Sequence, residues 1–348
     1  MSGRFRELCA GVNVDAGTAA AFREQWGREV PVTAGVTRVG APVPLLLRTD
    51  QMPGDAVAMT AAIYSLHKAH PGKYLTAVES PHYEVFQYNP DVSVDLLAAQ
   101  VLHMHYPAIH RCNERGIHFM QGWCEHLENA LGVRVPLLTD RPHLYFPGPT
   151  PQQEDFWLVC SGGKDDFTTK LWGTANYASV VRMLRGKVRF IQVGRAESEH
   201  PHLTDCEYMV GKTSLRQLFE LVRRCRGVLC GISLLMHVAA ALDKTCVVIA
   251  GGREPVQWNA YPKQHYLHTV GALFCVSTQG HEGRACWRSR VVAVGDGTHY
   301  DNDLCQRPTH PLSLTVGVGN GTCYPSAPLP ECMAMIRPTM VAELIDAL

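Results

Sequence analysis

The sequence predicts an α/β protein made of two doubly wound, parallel domains. Three observations predict it. Short apolar runs alternate with stretches of helical periodicity, a proline-rich break interrupts the alternation, and the alternation then restarts. A chain of 348 residues accommodates two domains of ordinary size.

Residues 1–42 read as an N-terminal extension. Phe22-Arg-Glu-Gln-Trp-Gly ends a short helix there, and residues 30–39 suit a hairpin. Val43-Pro-Leu-Leu-Leu-Arg48 is a buried strand. The loop Thr49-Asp-Gln-Met-Pro-Gly54 leads into a helix over residues 55–69, which Pro71-Gly72 stops. Tyr74-Leu-Thr-Ala-Val78 is the next strand, and residues 81–88 form a short helix. Strand, helix and strand at these intervals make a βαβ unit, hence a parallel sheet. A further helix over residues 116–131 ends at Gly132, so residues 43–141 form the first domain. Pro142, Pro147, Pro149 and Pro151 mark a linker over residues 142–155. The second domain spans residues 156–271. Its strands are 156–160, 188–193, 227–230 and 245–250, and its helices are 174–184, 214–224 and 233–242. Residues 272–335 abandon the pattern and are rich in Cys, Gly and Pro, and residues 336–348 close the chain with a helix from Pro338.

Composition narrows the function classes. Apolar residues make up 46% and charged residues 18%, which suits a packed core and not a disordered chain. Lys plus Arg and Asp plus Glu number 32 each, so bulk attraction to nucleic acid or an anionic membrane is not expected. The first 30 residues lack an apolar leader and no run approaches 18 uncharged apolar residues, so a cytoplasmic chain with no membrane span is expected. In that compartment 13 cysteines read as buried thiols or metal ligands rather than disulfides.

Three loops fall at the carboxyl ends of strands, where open α/β sheets bind ligands. In the first, Gly54 permits close approach of a ligand and Asp55 stands at a helix N-terminus. Asp55 is either a helix cap or a general base that takes a proton from an acceptor hydroxyl. The second is Ser161-Gly-Gly-Lys-Asp-Asp-Phe-Thr-Thr-Lys170-Leu-Trp172. Backbone N–H groups at Gly162 and Gly163, with Lys170, suit a diphosphate, although the Walker spacing is absent. A solvated polar loop is the other reading. In the third, Gly231 and Ser233 precede a helix that carries His237, again suited to phosphate or to core packing. Gly251-Gly-Arg-Glu254-Pro follows the next strand, and a carboxylate there can accept from ribose hydroxyls.

These loops, in this order, resemble those of the ADP-heptose glycosyltransferases (heptosyltransferases). The segment from Gly54 through Pro71 is similar to that family's first loop and helix, with Tyr88-Asn-Pro-Asp91 continuing the likeness. Lys170-Leu-Trp172 resembles its Lys-x-Trp phosphate segment, residues 233–243 its second diphosphate loop, and residues 251–255 the part that holds the donor nucleoside. The resemblance runs from about residue 43 to 270. It implies two Rossmann-like domains facing a cleft (the GT-B type) and nucleotide-sugar transfer without a catalytic divalent metal. Asp55 becomes the base, and Gly54, Gly162, Gly163, Lys170, Gly231, Ser233, His237 and Glu254 become donor-binding residues. Ile232 departs from the pattern, because the family often has an Asp there that contacts the sugar.

Cys275, Cys286, Cys305, Cys323 and Cys332 lie within 58 residues of loop-like sequence. Four thiolates hold tetrahedral zinc or iron, and a loop without its own core gains from such a staple. No Cys-x-x-Cys pair is present, so ordinary thiols are the plain alternative. Cys286-Trp-Arg-Ser-Arg and Cys332-Met-Ala-Met-Ile resemble the four-Cys iron-binding finger of autotransporter heptosyltransferases, with an insert at residues 278–284. That likeness implies a structural iron or zinc on Cys275, Cys286, Cys305 and Cys332, with Cys323 left out.

The expected function is therefore an inverting glycosyltransferase, moving a sugar (heptose among the candidates) from a nucleotide diphosphate sugar to an acceptor hydroxyl. The acceptor is a saccharide, protein or small molecule, and a homo-oligomer is compatible with the sequence. A catalytically degenerate nucleotide-sugar-binding module of the same fold is the alternative, supported by Ile232 and opposed by Asp55. A two-domain sugar-nucleotide epimerase matches least.

Overall fold

The computed structural model describes residues 13–16, 41–93, 100–105, 116–163, 165–196, 200–273, 275, 286, 291, 305–309 and 328–348. Strand β1 (Asn13–Ala16) lies in the N-terminal extension, and the expected helix end and hairpin of that extension fall outside the described residues. The first domain holds β2 (Val43–Arg48), α1 (Pro53–Ala69), β3 (Tyr74–Glu79), β4 (Gln100–His103) and α2 (Phe119–Leu131). Its three strands are parallel in the order β3-β2-β4. Strand β4 is absent from the sequence reading, because a four-residue strand with only Leu102 buried carries almost no apolar signal. The helix expected over residues 81–88 shrinks to one 3₁₀ turn at Tyr83–Val85.

The second domain holds β5 (Trp157–Cys160), α3 (Thr174–Met183), β6 (Phe190–Gln192), β7 (Glu207–Tyr208), α4 (Leu215–Arg224), β8 (Gly227–Gly231), α5 (Leu234–Ala241), β9 (Thr245–Gly251), α6 (Val256–Asn259) and β10 (Gln264–His268). Its sheet runs β1-β10-β9-β8-β5-β6-β7. All neighbours are parallel except β1, which pairs antiparallel with β10. The extension thus supplies an edge strand to the far domain. Ser214 caps α4 with a full capping box through Gln217.

Period-two alternation divides the core. Phe156 and Leu158 face a cluster shared with the first domain, whereas Trp157 and Val159 face a second cluster with Trp172, Tyr177 and the closing helices α7 (Glu331–Ala334) and α8 (Pro338–Asp346). Trp172 Nε1 donates to the Ile336 carbonyl at 2.7 Å, which ties α8 to the second domain. The shared cluster runs unbroken from Leu45 through α1 and α5 to Tyr266, so one core spans both domains.

The proline-rich segment is a strap rather than a loose tether. Its N-terminal end is pinned to α1, where His143 N–H donates to Thr60 Oγ1 at 2.8 Å and Leu138 N–H to Ser65 Oγ at 3.0 Å. Its other end is pinned to α4. Arg216 donates to the Tyr145 carbonyl at 2.9 Å and covers the Phe146 ring at 4.3 Å, and Arg223 donates to the Pro149 carbonyl at 2.8 Å. No helix among the described residues is long and apolar enough to cross a membrane.

The packing of β8 on β5 gives a direct test. A β-carbon on Gly227 would stand 2.7 Å from the fully buried Trp157 ring. Gly227→Ala should therefore cost about 1–3 kcal/mol by overpacking, read as a lower urea midpoint at unchanged slope.

Candidate active site

The large sheet has its topological switch between β5 and β8. From β5 the chain winds outward through β6 and β7, then returns to the other side of β5. Cys160 and Cys230 are register partners at the carboxyl ends of these strands, so the loops after them flank one crevice. The loop before α1 faces the same crevice from the first domain, because α1 packs across the domain boundary on α5.

That crossing is close. A β-carbon on Gly54 would stand 3.3 Å from His237 Cδ2 and 3.4 Å from the Leu234 α-carbon. Asp55 is the third residue of α1. The helix is capped by Met52 with no side-chain bond, and Pro53 occupies its first position. The cap reading of Asp55 therefore does not hold; its carboxylate lies within electrostatic reach of Lys170 and of the Tyr261 hydroxyl. His237 joins the same group through Nδ1, 2.8 Å from Tyr261 Oη. Burial first, then Lys170, lowers His237 to about 4 against an opposing pull from Glu254, so the ring is neutral at pH 7. His118, the cap of α2, stacks edge-on against Tyr261, and burial with His237 nearby lowers it to about 3.

Lys170 ends a 3₁₀ turn (Asp165–Lys170) and its ammonium meets Glu254 Oε1 at 2.7 Å. Glu254 also accepts from Arg253 on Oε1 and from Asn259 Nδ2 on Oε2. Burial raises the Glu254 carboxyl, but Lys170 and Arg253 outweigh it and hold the group ionised. Burial lowers Lys170; Glu254 and Asp55 oppose that, Arg253 adds to it, and the net direction is down. Asp55, Lys170, His237 and Glu254 thus meet as one constellation, drawn from both domains.

The remaining expected donor contacts fare differently. The Gly162 N–H already donates to His200 Nδ1 at 3.0 Å, and a β-carbon on Gly163 would stand 2.8 Å from Leu171 Cδ2. The Gly162 amide is thus engaged within the protein, and a side chain at position 163 would have to displace Leu171. Gly231 runs beside Lys170, where a β-carbon would lie 3.5 Å from the Lys170 carbonyl, so its backbone is at the site but a methyl group fits. Ser233 is the N-cap residue of α5, yet its hydroxyl is buried against the Cys160 and Cys230 thiols. Ile232 is half-buried against the shared core. Arg253, Asn259, Tyr261 and His118 were not read from the sequence. Asn259 and Tyr261 belong to Trp-Asn-Ala-Tyr, which carries no periodicity or spacing that points to a site.

The cysteine-rich region docks on the glycine pair after β9. Gly251 has a φ of +63°, and a β-carbon there would stand 2.6 Å from Met333 Sδ. Cys332 Sγ would lie 3.3 Å from a β-carbon on Gly252, and the Cys286 N–H donates to the Gly252 carbonyl at 3.4 Å. Burial above all, with Cys286, Cys305 and Cys275 adding to it, raises the Cys332 thiol to about 12. Cys275, Cys286 and Cys305 thus each act on Cys332. No group of three or more His, Cys, Asp or Glu side chains among the described residues is set to hold a metal ion. Cys323 lies outside the described residues.

Residues 141–282, from the strap through β10, match the family model described as glycosyltransferase family 9 (heptosyltransferase). The fold is similar to that of the iron-containing dodecameric glycosyltransferase TibC of enterotoxigenic E. coli H10407, with 15% identity, a TM-score of 0.57 and coverage of 92% of this chain and 80% of that one. It is also similar to E. coli ADP-heptose lps heptosyltransferase II, with 14% identity, a TM-score of 0.52 and coverage of 88% and 98%. A family 9 glycosyl transferase from Veillonella parvula DSM 2008 aligns at 14% identity and a TM-score of 0.50, over 67% of this chain and 88% of that one. No curated protein matches this chain. Identities this low speak for the fold, which is the GT-B arrangement that the sequence predicts.

The buried histidines set a pH dependence. His118 and His237 are lowered from 6.5 to about 3 and about 4, so the unfolded chain binds more protons than the folded one below pH 6.5. Stability should be full above that pH and fall as pH drops from 6.5 towards 4, by about 2 kcal/mol per histidine at pH 5. Urea unfolding of wild type and His237→Asn between pH 7 and 5 checks this, and the variant should lose less stability over the range.

Proposed function

We propose, for a chain whose residues 141–282 match the glycosyltransferase family 9 model, that the reaction is inverting transfer from a nucleotide diphosphate sugar to a hydroxyl. The observation that carries this reading is the meeting of Asp55 and Lys170 from opposite domains at the switch point of the large sheet. Asp55 takes the proton from the acceptor hydroxyl. The acceptor oxygen forms a bond to the anomeric carbon from the face opposite the donor's phosphate. The bond from that carbon to the phosphate oxygen breaks, and the electron pair leaves with the diphosphate. Lys170 and the backbone N–H groups at the start of α5 neutralise the charge that develops there.

The comparisons support one donor as the first to try. TibC is described in complex with ADP-D-β-D-heptose, so ADP-linked heptose is the first donor to try. Ile232 stands where the heptosyltransferases often have an Asp, which opens the reading to another ADP- or nucleotide-linked sugar. TibC is also described as dodecameric, which makes a homo-oligomer the first assembly to test.

The iron-containing description of TibC raises a structural metal for this chain, although its described cysteines are not grouped as a metal site. Cys275, Cys286, Cys305 and Cys332 would hold iron or zinc, and the cation would reverse the upward pull on Cys332 by favouring its thiolate. A bound metal would staple residues 275–332 to the Gly251–Gly252 corner without touching the transferred sugar. Support comes from the influence of Cys275, Cys286 and Cys305 on Cys332 and from the iron-containing description of TibC.

Two expected outcomes test these readings. Asp55→Asn should keep ADP-heptose affinity and lower turnover by about 10²–10⁴-fold, measured by coupling product release to mass detection; an unchanged rate ends the general-base role. Elemental analysis should find one iron or zinc per chain, and Cys→Ser at any of the four positions should lower metal content and thermal stability together. A metal-free, folded and active preparation would make these ordinary thiols.

A further inference from the structure

Glu254 is the one buried carboxylate among the described residues. Its two oxygens are taken by Lys170, Arg253 and Asn259, and its backbone carbonyl accepts from Tyr266 Oη at 3.3 Å. Side-chain exposure is 2% for Glu254 and 27% for Lys170, so the carboxylate stands behind the ammonium and not beside it at the surface of the crevice. A carboxylate already filled by three protein donors has little capacity left for the ribose hydroxyl that the sequence suggests.

We propose that Glu254 is a positioning residue, which holds Lys170 in its charged form and aimed into the crevice for the donor diphosphate. The inference rests on the reading of Lys170 as the diphosphate contact. The titratable groups around Lys170 come from three elements: Glu254 and Arg253 after β9, Asp55 on α1, and the neutral His237 on α5. Burial and Arg253 act against the ammonium, while Glu254 and Asp55 favour it. With Glu254 neutral, Lys170 and Arg253 become adjacent cations that lose their shared carboxylate, while Asp55 still favours the ammonium. A guanidinium keeps its proton at any pH used here, so the loss of charge falls on the lysine.

The test uses the full chain, with ADP and adenosine as probes, and calorimetric affinities between about pH 7.5 and 9.5. In Glu254→Gln the ADP affinity should begin to fall at a lower pH than in wild type. Beyond that onset it should drop by about tenfold per pH unit, as expected when one bound proton is required. Adenosine affinity should stay level. Adding Lys170→Arg to Glu254→Gln should remove the alkaline loss, because arginine does not deprotonate. The same onset in Glu254→Gln and wild type, or an alkaline loss that survives in the double variant, overturns the proposal. Glu254→Asp covers a glutamine variant that fails to fold. Its retracted carboxylate should move the onset down by less, and an onset equal to wild type overturns the proposal. Lys170→Ala separates the two levels of argument. Equal effects on ADP and adenosine remove Lys170 from the phosphate site, whereas selective loss of ADP affinity with an unmoved onset in Glu254→Gln removes only Glu254 from its role.

Discussion

The packing of α1 on α5 is the contact on which the rest of this protein depends. Both helices are apolar on most of their surface, and they close one hydrophobic core across the two domains. Gly54 allows the backbones to meet at their N-terminal ends, where a β-carbon would press on His237 and reach the Leu234 backbone. Because each helix begins at the carboxyl end of a strand, the same contact brings two strand-end loops together. Asp55 and Lys170, 115 positions apart in the sequence, come within electrostatic reach because the β5 loop that carries Lys170 flanks the β8 loop on which α1 docks. A continuous core also fixes the relative position of the domains more firmly than a polar interdomain surface would.

Burial then dictates the electrostatics. Lys170, Arg253 and Glu254 are charges withdrawn from water, and such charges persist only when paired and hydrogen-bonded. Glu254 meets that requirement with three donors on one carboxylate. The imidazoles nearby meet it in the opposite way: His118 and His237 shed their protons and remain as neutral hydrogen-bonding rings. The site therefore has one partly accessible ammonium, one carboxylate on the facing helix and neutral rings near them, a distribution suited to an anionic leaving group and a proton acceptor.

The segments without regular structure have definite mechanical roles. The proline-rich strap joins α1 to α4 through Thr60, Ser65, Arg216 and Arg223, and Arg141 adds an ion pair to Asp243 across the boundary. The glycine pair after β9 accepts Met333 and Cys332, so the chain end docks on the strand that leads into Glu254. Packing at that corner and charge at the site are consequently connected through four residues of backbone.

Much of this was legible in the sequence. Apolar runs and helical periodicity located β2, α1, β3, β5, α3, α4, β8, α5, β9 and α8 within a few residues, because each element buries a face whose period is written in its side chains. The loop residues Asp55 and Lys170 were legible because strand-end loops carry the ligand-binding groups of such sheets. Strands β1, β4, β7 and β10 were not: the first three have at most four residues and lie on sheet edges, so their pairing makes them strands, and interior β10, Gln264-His-Tyr-Leu-His, carries too few apolar residues to read as a buried run. Tertiary structure alone decided what each polar group does. It turned the Ser233 hydroxyl towards the thiols, gave the Gly162 amide to His200, and surrounded Glu254 with Lys170, Arg253 and Asn259. Hydrophobic periodicity is local and repeats along the chain, whereas the partner of a buried charge is set by which distant residues the fold brings within hydrogen-bond reach.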